Sequence, residues 1–573
     1  MKAGLLYKHY LYRFHAEYFP GTLIVMNKKK SINKKASSDA LANKITKNSK
    51  VTLKSSDLDS VDIEYKRLFD SFKHNVNNHI ERVELLAKLR DCGILSDDPR
   101  YQATIKSLDG LNVNGAINFE QFKQLVGKNG SVLKKVIRGN MAIPDFADFQ
   151  HDLEEIFKKV KVNKSGEVAS YIPQLGRVNP QHFAVSVCTV DGQRFSLGDA
   201  QTDFCLQSVS KPISYCLALE EHGEEKVHDH VGREPSGRGF NELTLNNEGL
   251  PHNPLINSGA IMSCSLIKPK QALADRFEYV SRTWQRLAGN GRIGFNNPVY
   301  LSERETADRN FALGYFMREK KAFPEGTDLV EALEFYFQCC SIEVNADELA
   351  IVAASLANGG VCPTTGDGVF QPQTVQNCLS LMSSCGMYDF SGEFAFSIGL
   401  PAKSGVSGGI LVVIPQVMGI AIWSPRLDAL GNSVRGLEFC RELVRKFNFH
   451  LYDSLTHEQN NKRDPRLKKK QTQIEGVVNL CWAASQGDVN EVQKLAAQGV
   501  DLNAADYDGR TALHLAASEG QTEIVNYLIA KGVNLEPIDR WGGTPLSDAK
   551  RGGHQAISEV LQLGYGSSDR INN

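Results

Sequence analysis

The hexapeptide QSVSKP, Gln207 to Pro212, lies between a β-hairpin pattern and an apolar run with helical spacing. Because residues three apart share a helix face, the amine of Lys211 can lie beside the hydroxyl of Ser208. A serine is a weak nucleophile until a neighbouring base takes its proton, and a neutral lysine can be that base. A helix cap explains the same letters, since Ser208 or Ser210 could accept a backbone N–H. The hexapeptide alone leaves both interpretations open.

A second motif lies near the other end of the same block of sequence. AKSGVSGG, Ala402 to Gly409, is predicted to lie on a strand. S-x-x-K followed by K-[ST]-G is the motif pair of penicillin-recognising serine enzymes. A helix N-terminus at Ser208 would also supply backbone donors for a developing oxyanion. The two motifs in this order favour catalysis over a simple cap.

Length and composition set the broad class of the protein. A chain of 573 residues exceeds one hydrophobic core and predicts two to four domains. Its 42% hydrophobic and 23% charged residues are typical of globular proteins, and a net charge of −1 predicts neither nucleic-acid nor membrane binding. Twelve scattered cysteines without a C-x-x-C motif indicate reduced thiols rather than disulfides or a zinc site.

The N-terminal segment differs from the rest of the chain in charge. Residues 1–54 hold twelve lysines and arginines but only Glu17 and Asp39 as acids, and we predict that residues 1–60 are disordered. A basic, acid-poor segment that contains serine fits a mitochondrial targeting sequence. A solvated tail on a cytoplasmic protein is the alternative.

Residues 61–145 have apolar positions at helical spacing and an EF-hand-like pattern. In GLNVNGAINFEQF, Gly115 and Ile117 fall where a calcium loop has its glycine and its central aliphatic residue. The first and twelfth loop positions are Gly110 and Gln121, whereas calcium needs carboxylates at both. We therefore expect an all-α, helix–loop–helix domain that does not bind calcium.

Residues 150–450 predict an α+β fold. HFAVSVCTVDGQRFSLGD gives two strands around the turn Asp191–Gly192, and short β-rich runs return near the end of the block. Helical runs lie between these two groups of strands, and a final amphipathic helix, RGLEFCRELVRKF, follows the second group. This order predicts an antiparallel sheet that combines strands from both ends of the block, with helices packed against it.

A basic linker, residues 457–473, is followed by a repeat over residues 475–565. Leu480 and Leu513 lie 33 residues apart, as do Thr511 and Thr544. The 33-residue period with T-x-L-H-x-A resembles ankyrin repeats. Such units bury their apolar faces only by stacking, so we expect either a protein-binding appendage or a capping element.

The central block resembles the glutaminase family over nearly its whole length. The stretches that carry the resemblance are YIPQLGRVNP, VSVCTVDGQRFSLGD, FCLQSVSKPISY, PHNPLINSGAI, LSERETADRNFALGY, FYFQCCSIEV, GMYDFSGEFAF and GLPAKSGVSGGILVV. The order of helical domain, catalytic block and ankyrin tail is similar to that of animal glutaminases of the mitochondrial, phosphate-activated type. The resemblance implies a β-lactamase- or penicillin-binding-protein-like serine hydrolase core that converts L-glutamine to L-glutamate and ammonia through an acyl-enzyme. It implies no metal or organic cofactor, a homotetramer, and phosphate or another anion as activator.

The resemblance also implies roles for individual residues. Ser208 would be the nucleophile, Lys211 the base and Tyr388 a group that assists proton transfer, with Tyr336 lining the same pocket. The backbone N–H groups of Ser208 and Val406 would form the oxyanion hole. Four residues would hold the amino-acid end of glutamine: Tyr171, Asn257, Glu303 and Asn310.

Two alternatives to a glutaminase remain at this stage. A pseudoenzyme scaffold would use the ankyrin tail alone, and a related S-x-x-K acyl-enzyme hydrolase would act on β-lactams or peptides. The segment 232–254, rich in Gly, Pro and Asn, is a candidate lid or an ordinary loop. Relatives often carry an aromatic residue after its leucine, whereas Leu243 is followed here by Thr244.

Overall fold

The computed structural model describes residues 65–66, 68–69, 72, 79–111, 115–128, 130–237, 239, 242–455, 462–497 and 500–568. These residues belong to one compact unit, Glu64–Asn573. The disordered targeting segment predicted at 1–60 lies outside the described residues. Within the described ranges, no helix is both long and apolar enough to cross a membrane.

The first described domain is helical. Its helices are α1 (Arg82–Asp91), α2 (Pro99–Gly110), α3 (Phe119–Lys128) and α4 (Gly130–Arg138). Two short strands, β1 (Ile80–Glu81) and β2 (Ala116–Ile117), pair antiparallel with Ile80 opposite Ile117. Both isoleucines are buried with the aliphatic and aromatic side chains of the surrounding helices. This is the predicted helix–loop–helix arrangement, with the central aliphatic residue Ile117 at the strand pair.

Gln121, at the last position of the predicted loop, lies in the first turn of α3 and forms a capping pair with Asn118. Its Oε1 accepts a hydrogen bond from the Asn118 backbone N–H at 3.0 Å, and Asn118 Oδ1 accepts one from the Gln121 N–H at 2.9 Å. These reciprocal bonds satisfy two backbone donors at the start of the helix, as in a capping box. Gln121 thus has a structural role at the position where a calcium loop has its bidentate carboxylate.

The central block is built on a five-stranded antiparallel sheet, in which the strands at residues 194–198, 184–189, 418–423, 409–414 and 402–404 lie side by side in that order. The strands of the block are β3 (Glu167–Val168), β4 (Ala184–Thr189), β5 (Arg194–Gly198), β6 (Phe204–Cys205), β7 (Gly294–Phe295), β8 (Ile342–Val344), β9 (Ala402–Ser404), β10 (Gly409–Ile414), β11 (Met418–Trp423) and β12 (Arg426–Leu427). Strand β4 pairs with β11, with Val187 opposite Ile420, so the early hairpin joins the late strands. The predicted α+β arrangement is confirmed.

Helices cover both faces of this sheet. In chain order they are α5 (Phe146–Lys161), α6 (Pro173–Gly176), α7 (Lys211–His222), α8 (Glu224–His228), α9 (Asn257–Leu266), α10 (Leu273–Leu287), α11 (Asn297–Glu305), α12 (Asp308–Glu319), α13 (Leu329–Cys340), α14 (Ala346–Ala357), α15 (Pro372–Cys385), α16 (Ser391–Ser397) and α17 (Val434–Lys446). Helices α5, α16 and α17 share one apolar core with the sheet, and α7, α9, α13 and α14 share the other. Every residue of β4, β10 and β11 is buried as a result.

One glycine shows how closely a helix approaches the sheet. A Cβ added to Gly419 of β11 would lie only 2.1 Å from the Ala354 backbone nitrogen of α14. Any side chain at this position would have to push the helix off the sheet, since backbone atoms cannot give way cheaply. Gly419 therefore allows the direct packing of α14 on the middle of the sheet.

The segment after α17 is bound along the central block. Arg463 forms a parallel β-bridge to Phe447, and its guanidinium pairs with Asp152 of α5. Lys462 Nζ lies 2.7 Å from Asp453 Oδ1. The sequence predicts a linker over 457–473, but the next helix begins at Lys469, inside that range. We call residues 462–468 the strap, because they hold the start of the C-terminal domain against α5.

The C-terminal domain consists of paired helices. They are α18 (Lys469–Gln486), α19 (Val489–Ala497), α20 (Ala512–Ser518), α21 (Thr522–Ala530), α22 (Pro545–Gly552) and α23 (Gln555–Ser568). The repeated threonines Thr511 and Thr544 each cap a helix through a capping box. The 33-residue spacing found in the sequence is therefore the spacing between the starts of equivalent helices, after Thr511 and after Thr544.

Replacing Arg463 with alanine tests the strap. The Asp152 side chain, only 11% exposed, would keep Lys446 at 2.6 Å but lose its second cation. We expect the free energy of unfolding to fall by about 1.5–3 kcal/mol, the range for hydrogen bonds to charged groups. Urea denaturation followed by circular dichroism measures it.

Arg282→Ala is the matched control, because Arg282 pairs with Glu278 on the surface of one helix and both side chains are more than half exposed. The free energy of unfolding of Arg282→Ala should fall by less than about 1 kcal/mol. Equal losses for the two variants would mean that the strap does not contribute to the stability of the central block.

Candidate active site

The motif QSVSKP forms a tight turn that leads directly into a helix. Gln207–Ser210 is a 3-10 turn, and α7 begins at Lys211. Gln207 has a φ of 50°, a left-handed conformation that is uncommon for residues other than glycine. The Ser210 hydroxyl donates to the Gln207 carbonyl oxygen at 2.8 Å and does not cap the helix. Within this turn, the buried Ser208 side chain lies within hydrogen-bonding distance of Tyr388.

The amine of Lys211 is buried one turn further on. Lys211 is 1% exposed, and its Nζ donates to Asn257 Oδ1 at 2.6 Å. The Nζ also lies 6.0 Å from the centroid of the Tyr336 ring. Burial lowers the pKa of Lys211 from 10.5 to about 8, against the opposing effect of Cys340, Cys264 and Glu303. Lys211 is thus a base that loses its proton far more easily than an exposed lysine does.

Asparagine side chains connect this amine to a third helix. Asn257 is the first residue of α9, and its Nδ2 donates to Asn310 Oδ1 of α12 at 3.1 Å. Because an amide both donates and accepts, Asn257 can link Lys211 and Asn310 at the same time. The chain Lys211–Asn257–Asn310 therefore fixes the relative positions of α7, α9 and α12.

A buried carboxylate lies on the same side of the nucleophile turn. Glu303 is 8% exposed, and the Tyr171 hydroxyl donates to its Oε1 at 2.5 Å. The same hydroxyl lies 3.2 Å from Gln207 Oε1. Burial raises the pKa of Glu303, while hydrogen bonds from Tyr171 and Gln207 and the charge of Lys211 lower it. Tyr171 itself is 52% exposed, so this pair lies at the opening of the site.

Tyr388 approaches the serine from the opposite side of the site. It starts the 3-10 turn Tyr388–Phe390 and has a φ of 55°. Burial raises the pKa of its phenol, and a hydrogen bond with Ser208 opposes the rise. Two residues of the site, Gln207 and Tyr388, thus have strained backbones, which is common where a side chain must be aimed at a reacting group.

The turn after β9 completes the site. A Cβ added to Gly405 would lie 2.8 Å from the Leu206 carbonyl oxygen, so this turn lies directly against the turn that carries Ser208. Val406 follows Gly405, and a Cβ on Gly431 would lie 3.9 Å from its Cγ1 and 3.6 Å from Tyr388 Cε2. Val406 therefore lies near Tyr388, one residue after the contact between the two turns.

The contacts described above bring the site residues named from the sequence into one region of the central block. Tyr388 is hydrogen-bonded to Ser208, Lys211 donates to Asn257, and the Tyr336 ring lies beside the Lys211 amine. The residues assigned to the amino-acid end are joined in two pairs, Tyr171 with Glu303 and Asn257 with Asn310.

Sequence reasoning missed two further residues. Gln207 contacts Tyr171, and the fully buried Lys403 lies 4.6 Å from the centroid of the Tyr388 ring. Both are letters of the motifs QSVSKP and AKSG that we quoted without assigning a role to them.

The arrangement suits acyl transfer. It combines a buried hydroxyl, a lysine with a lowered pKa and a phenol. In the part of the chain that the structure describes, no three His, Cys, Asp or Glu side chains are grouped as a metal site.

Comparisons with known proteins agree with this chemistry. Three family models match the chain: glutaminase over residues 166–452, ankyrin repeats in three copies over 480–570, and an EF-hand domain over 65–144. A Caenorhabditis elegans protein named putative glutaminase 3 is 47% identical over 78% of this chain and 78% of its own. The rat protein named glutaminase liver isoform, mitochondrial, is 46% identical over 78% of this chain and 76% of its own.

Solved structures show the same core. One described as probable glutaminase ybaS is 37% identical and covers 53% of this chain and 97% of its own, with a TM-score of 0.51. Together with the family matches, this supports the predicted β-lactamase-like core between an EF-hand-like domain and ankyrin repeats.

Replacing Lys211 with methionine tests the burial of its charge. Below pH 8 both the folded and the unfolded chain carry the proton, and the shift from 10.5 to about 8 destabilises the folded state by roughly 3 kcal/mol. Between pH 8 and 10.5 the folded state loses its proton first, so this destabilisation disappears as the pH rises. The stability of Lys211→Met relative to wild type should therefore fall by roughly 3 kcal/mol from pH 7 to pH 10.5.

Denaturant titrations at four pH values across this range measure the difference. The loss of the hydrogen bond to Asn257 adds a constant that does not change the slope. Lys270→Met, at an exposed lysine, is the matched control. If the difference in stability between Lys211→Met and wild type did not change with pH, the pKa of Lys211 would not be lowered in the folded protein.

Proposed function

The chain belongs to the glutaminase family, and from this membership we propose that it hydrolyses L-glutamine to L-glutamate and ammonia with Ser208 as the acylated residue. The observation that carries the proposal is the grouping of three buried residues: Ser208, Lys211 three residues further on, and Tyr388, which is hydrogen-bonded to Ser208. A pseudoenzyme would have no need for a buried lysine whose pKa is lowered to about 8 beside a serine.

In the first half-reaction Ser208 Oγ attacks the side-chain carbonyl carbon of glutamine. Lys211 accepts the hydroxyl proton, and the backbone N–H groups of Ser208 and Val406 stabilise the negative charge on the carbonyl oxygen. The C–N bond then breaks, and the leaving nitrogen takes a proton through Lys211 or Tyr388 and departs as ammonia. The product of this half-reaction is a γ-glutamyl ester of Ser208.

In the second half-reaction water replaces the ester. Lys211 accepts a proton from the water as its oxygen attacks the ester carbon, and the same two N–H groups stabilise the new oxyanion. The C–O bond to Ser208 breaks, and the serine oxygen recovers a proton from Lys211. L-Glutamate is released and the enzyme returns to its starting state.

The remaining residues account for the choice of a free amino acid. The Glu303 carboxylate offers an ionic partner to the substrate ammonium, with Tyr171 holding the carboxylate in place at 2.5 Å. Asn257 and Asn310 offer amide groups to the substrate carboxylate and ammonium, and Tyr336 bounds the pocket beside Lys211. A site of this kind favours a small zwitterion over a larger peptide or β-lactam.

Several features of the whole chain are part of the proposal. We assign residues 1–60 as a mitochondrial targeting segment, 61–145 as the EF-hand-like domain, 150–450 as the catalytic domain and 475–565 as ankyrin repeats. Relatives with mitochondrial names support the location. We further propose a homotetramer, activation by phosphate or another anion, and a protein partner for the ankyrin repeats.

Ser208→Ala tests the nucleophile. Without the hydroxyl no acyl-enzyme forms, so kcat/KM for glutamine should fall by at least about 10³-fold. The measurement is release of ammonia and glutamate from a panel of glutamine, asparagine, γ-glutamyl amides and a chromogenic β-lactam.

Ser210→Ala is the matched control for Ser208→Ala. It removes a hydroxyl of the same turn, and this hydroxyl donates to the Gln207 carbonyl oxygen. The kcat/KM of Ser210→Ala for glutamine should fall by less than about tenfold. Near-normal glutamine hydrolysis by a folded Ser208→Ala protein would exclude Ser208 as nucleophile, and product from the β-lactam alone would exclude glutamine as substrate.

The pH dependence of the wild-type enzyme tests Lys211. Since its pKa is about 8, the fraction of neutral amine grows from pH 7 to pH 9, and kcat/KM should rise over that range. Lys211→Arg keeps the charge but cannot accept a proton, so it should be nearly inactive at every pH. A folded arginine variant with most of its activity would transfer the role of base to Tyr388.

A further inference from the structure

A short loop, residues 428–433, connects β12 to α17 next to the turn that carries Tyr388. Asp428 fixes its shape, because the Asp428 Oδ1 accepts hydrogen bonds from the backbone N–H groups of Leu430 and Asn432, both at 2.9 Å. The Asp428 N–H also donates to the Asn432 carbonyl oxygen at 2.8 Å. An aspartate that binds the backbone N–H groups just after it makes a compact, ordered turn. We call residues 428–433 the clasp.

Asn432 links the clasp to the Tyr388 turn. Its side chain is fully buried, and its Nδ2 donates to the Met387 carbonyl oxygen at 3.3 Å. Its Oδ1 accepts no hydrogen bond from the residues that the structure describes. The Met387 carbonyl belongs to the planar peptide bond that precedes Tyr388, so this hydrogen bond acts on the orientation of that peptide. Because Tyr388 has a strained φ of 55°, such contacts are needed to hold it.

The clasp also contacts the Tyr388 ring, through Gly431. Gly431 has a φ of 86°, a conformation that favours glycine. A Cβ at this position would lie 3.6 Å from Tyr388 Cε2 and 3.9 Å from Val406 Cγ1, which are ordinary van der Waals distances. The backbone of Gly431 therefore faces the edge of the phenol ring and the Val406 side chain together.

Hydrogen bonds join the other end of the clasp to the turn after β9. The Ser433 hydroxyl donates to the Ser424 carbonyl oxygen at 2.8 Å, and the Ser424 N–H donates to the Gly408 carbonyl oxygen at 3.0 Å. Ser433 and Ser424 have no exposed surface, which strengthens these bonds relative to bonds in water. The turn that ends at Gly408 carries Val406, whose N–H is the proposed oxyanion donor. The clasp is thus connected to both turns.

We propose that Asn432 is a positioning residue of the acyl-transfer reaction, which holds the Tyr388 phenol in reach of the leaving nitrogen while the clasp keeps Val406 in place. The inference rests on the proposed function, because it takes Tyr388 as a proton-transfer group and Val406 as an oxyanion donor. Asn432 does not touch the substrate in this scheme. It acts through the Met387 carbonyl oxygen and through the packing of Gly431 on the phenol ring.

The test compares two substrates with different leaving groups, L-glutamine and a nitrophenyl γ-ester of L-glutamate. Ammonia can leave only after the nitrogen gains a proton, whereas nitrophenolate leaves without one. In Asn432→Ala the phenol is held less well, so kcat/KM for glutamine should fall by roughly ten- to a hundredfold. The ratio of kcat/KM for the ester to kcat/KM for glutamine should therefore rise by about tenfold or more. This ratio does not depend on the fraction of the protein that is folded.

Asn448→Ala is the matched control. Asn448 is also a buried asparagine, its Nδ2 donates to Asp464 Oδ2 at 3.1 Å, and its Oδ1 accepts no hydrogen bond from the described residues. Because Asn448 lies after α17 and binds the strap, its replacement should lower the melting temperature without changing the ratio. Circular dichroism checks folding. If Asn432→Ala does not fold, Asn432→Ser takes its place, since the serine side chain is polar but ends one bond earlier.

Tyr388→Phe shows whether Asn432 acts through the phenol. Once the hydroxyl is removed, Asn432→Ala should raise the ratio no further, because both substitutions remove the same contribution. The double variant and the two single variants are measured with the same pair of substrates.

The outcomes are distinct. A ratio that rises in Asn432→Ala, keeps the wild-type value in Asn448→Ala and rises no further in the double variant supports the proposal. A folded Asn432→Ala protein with the wild-type ratio, an equal rise in the control, or a full second rise in the double variant overturns it. A wild-type protein that cleaves the ester but releases no ammonia from glutamine would instead overturn the proposed function.

Discussion

The exclusion of water from Lys211 is the constraint on which the arrangement of the site depends. An amine in water keeps its proton at neutral pH, and only burial brings its pKa to about 8. Burial has a cost, because the amine then needs a partner in place of water, and Asn257 provides it at 2.6 Å. Asn257 is hydrogen-bonded in turn to Asn310. The hydrogen bonds that replace water at the Lys211 amine therefore connect three helices, α7, α9 and α12.

The sheet supplies the rigidity that such a site requires. The turn after β9 lies against the Ser208 turn, and β9 itself is an edge strand of a sheet in which β4, β10 and β11 are buried along their whole length. The backbone strain at Gln207 and Tyr388 can persist because packed elements surround both residues. The reaction thus depends on two turns, Gln207–Ser210 and Tyr388–Phe390, which the surrounding strands and helices hold in place.

Much of this could be predicted from the sequence. The spacing of Ser208 and Lys211, the motif at Ala402–Gly409 and the 33-residue repeat are local patterns, and local patterns survive in any fold that contains them. The pairing of early with late strands followed from the apolar runs at the two ends of the block. The left-handed conformations of Gln207 and Tyr388 could not be predicted, because neither residue type marks a positive φ. The role of residues 462–468 was also missed, because the carboxylate that binds Arg463 comes from Asp152, about 310 residues earlier.

The pairing of β4 with β11 has a consequence for how the chain is made. Val187 and its partner Ile420 are separated by about 230 residues, so the hairpin of β4 and β5 leaves the ribosome long before its neighbour exists. Contacts of such long range are slow to form, and an unpaired apolar strand edge can associate with other chains in the meantime. During synthesis the hairpin that later forms one side of the sheet therefore exposes the free edge of β4, and a chaperone that covers this edge until β11 emerges would increase the yield of folded protein.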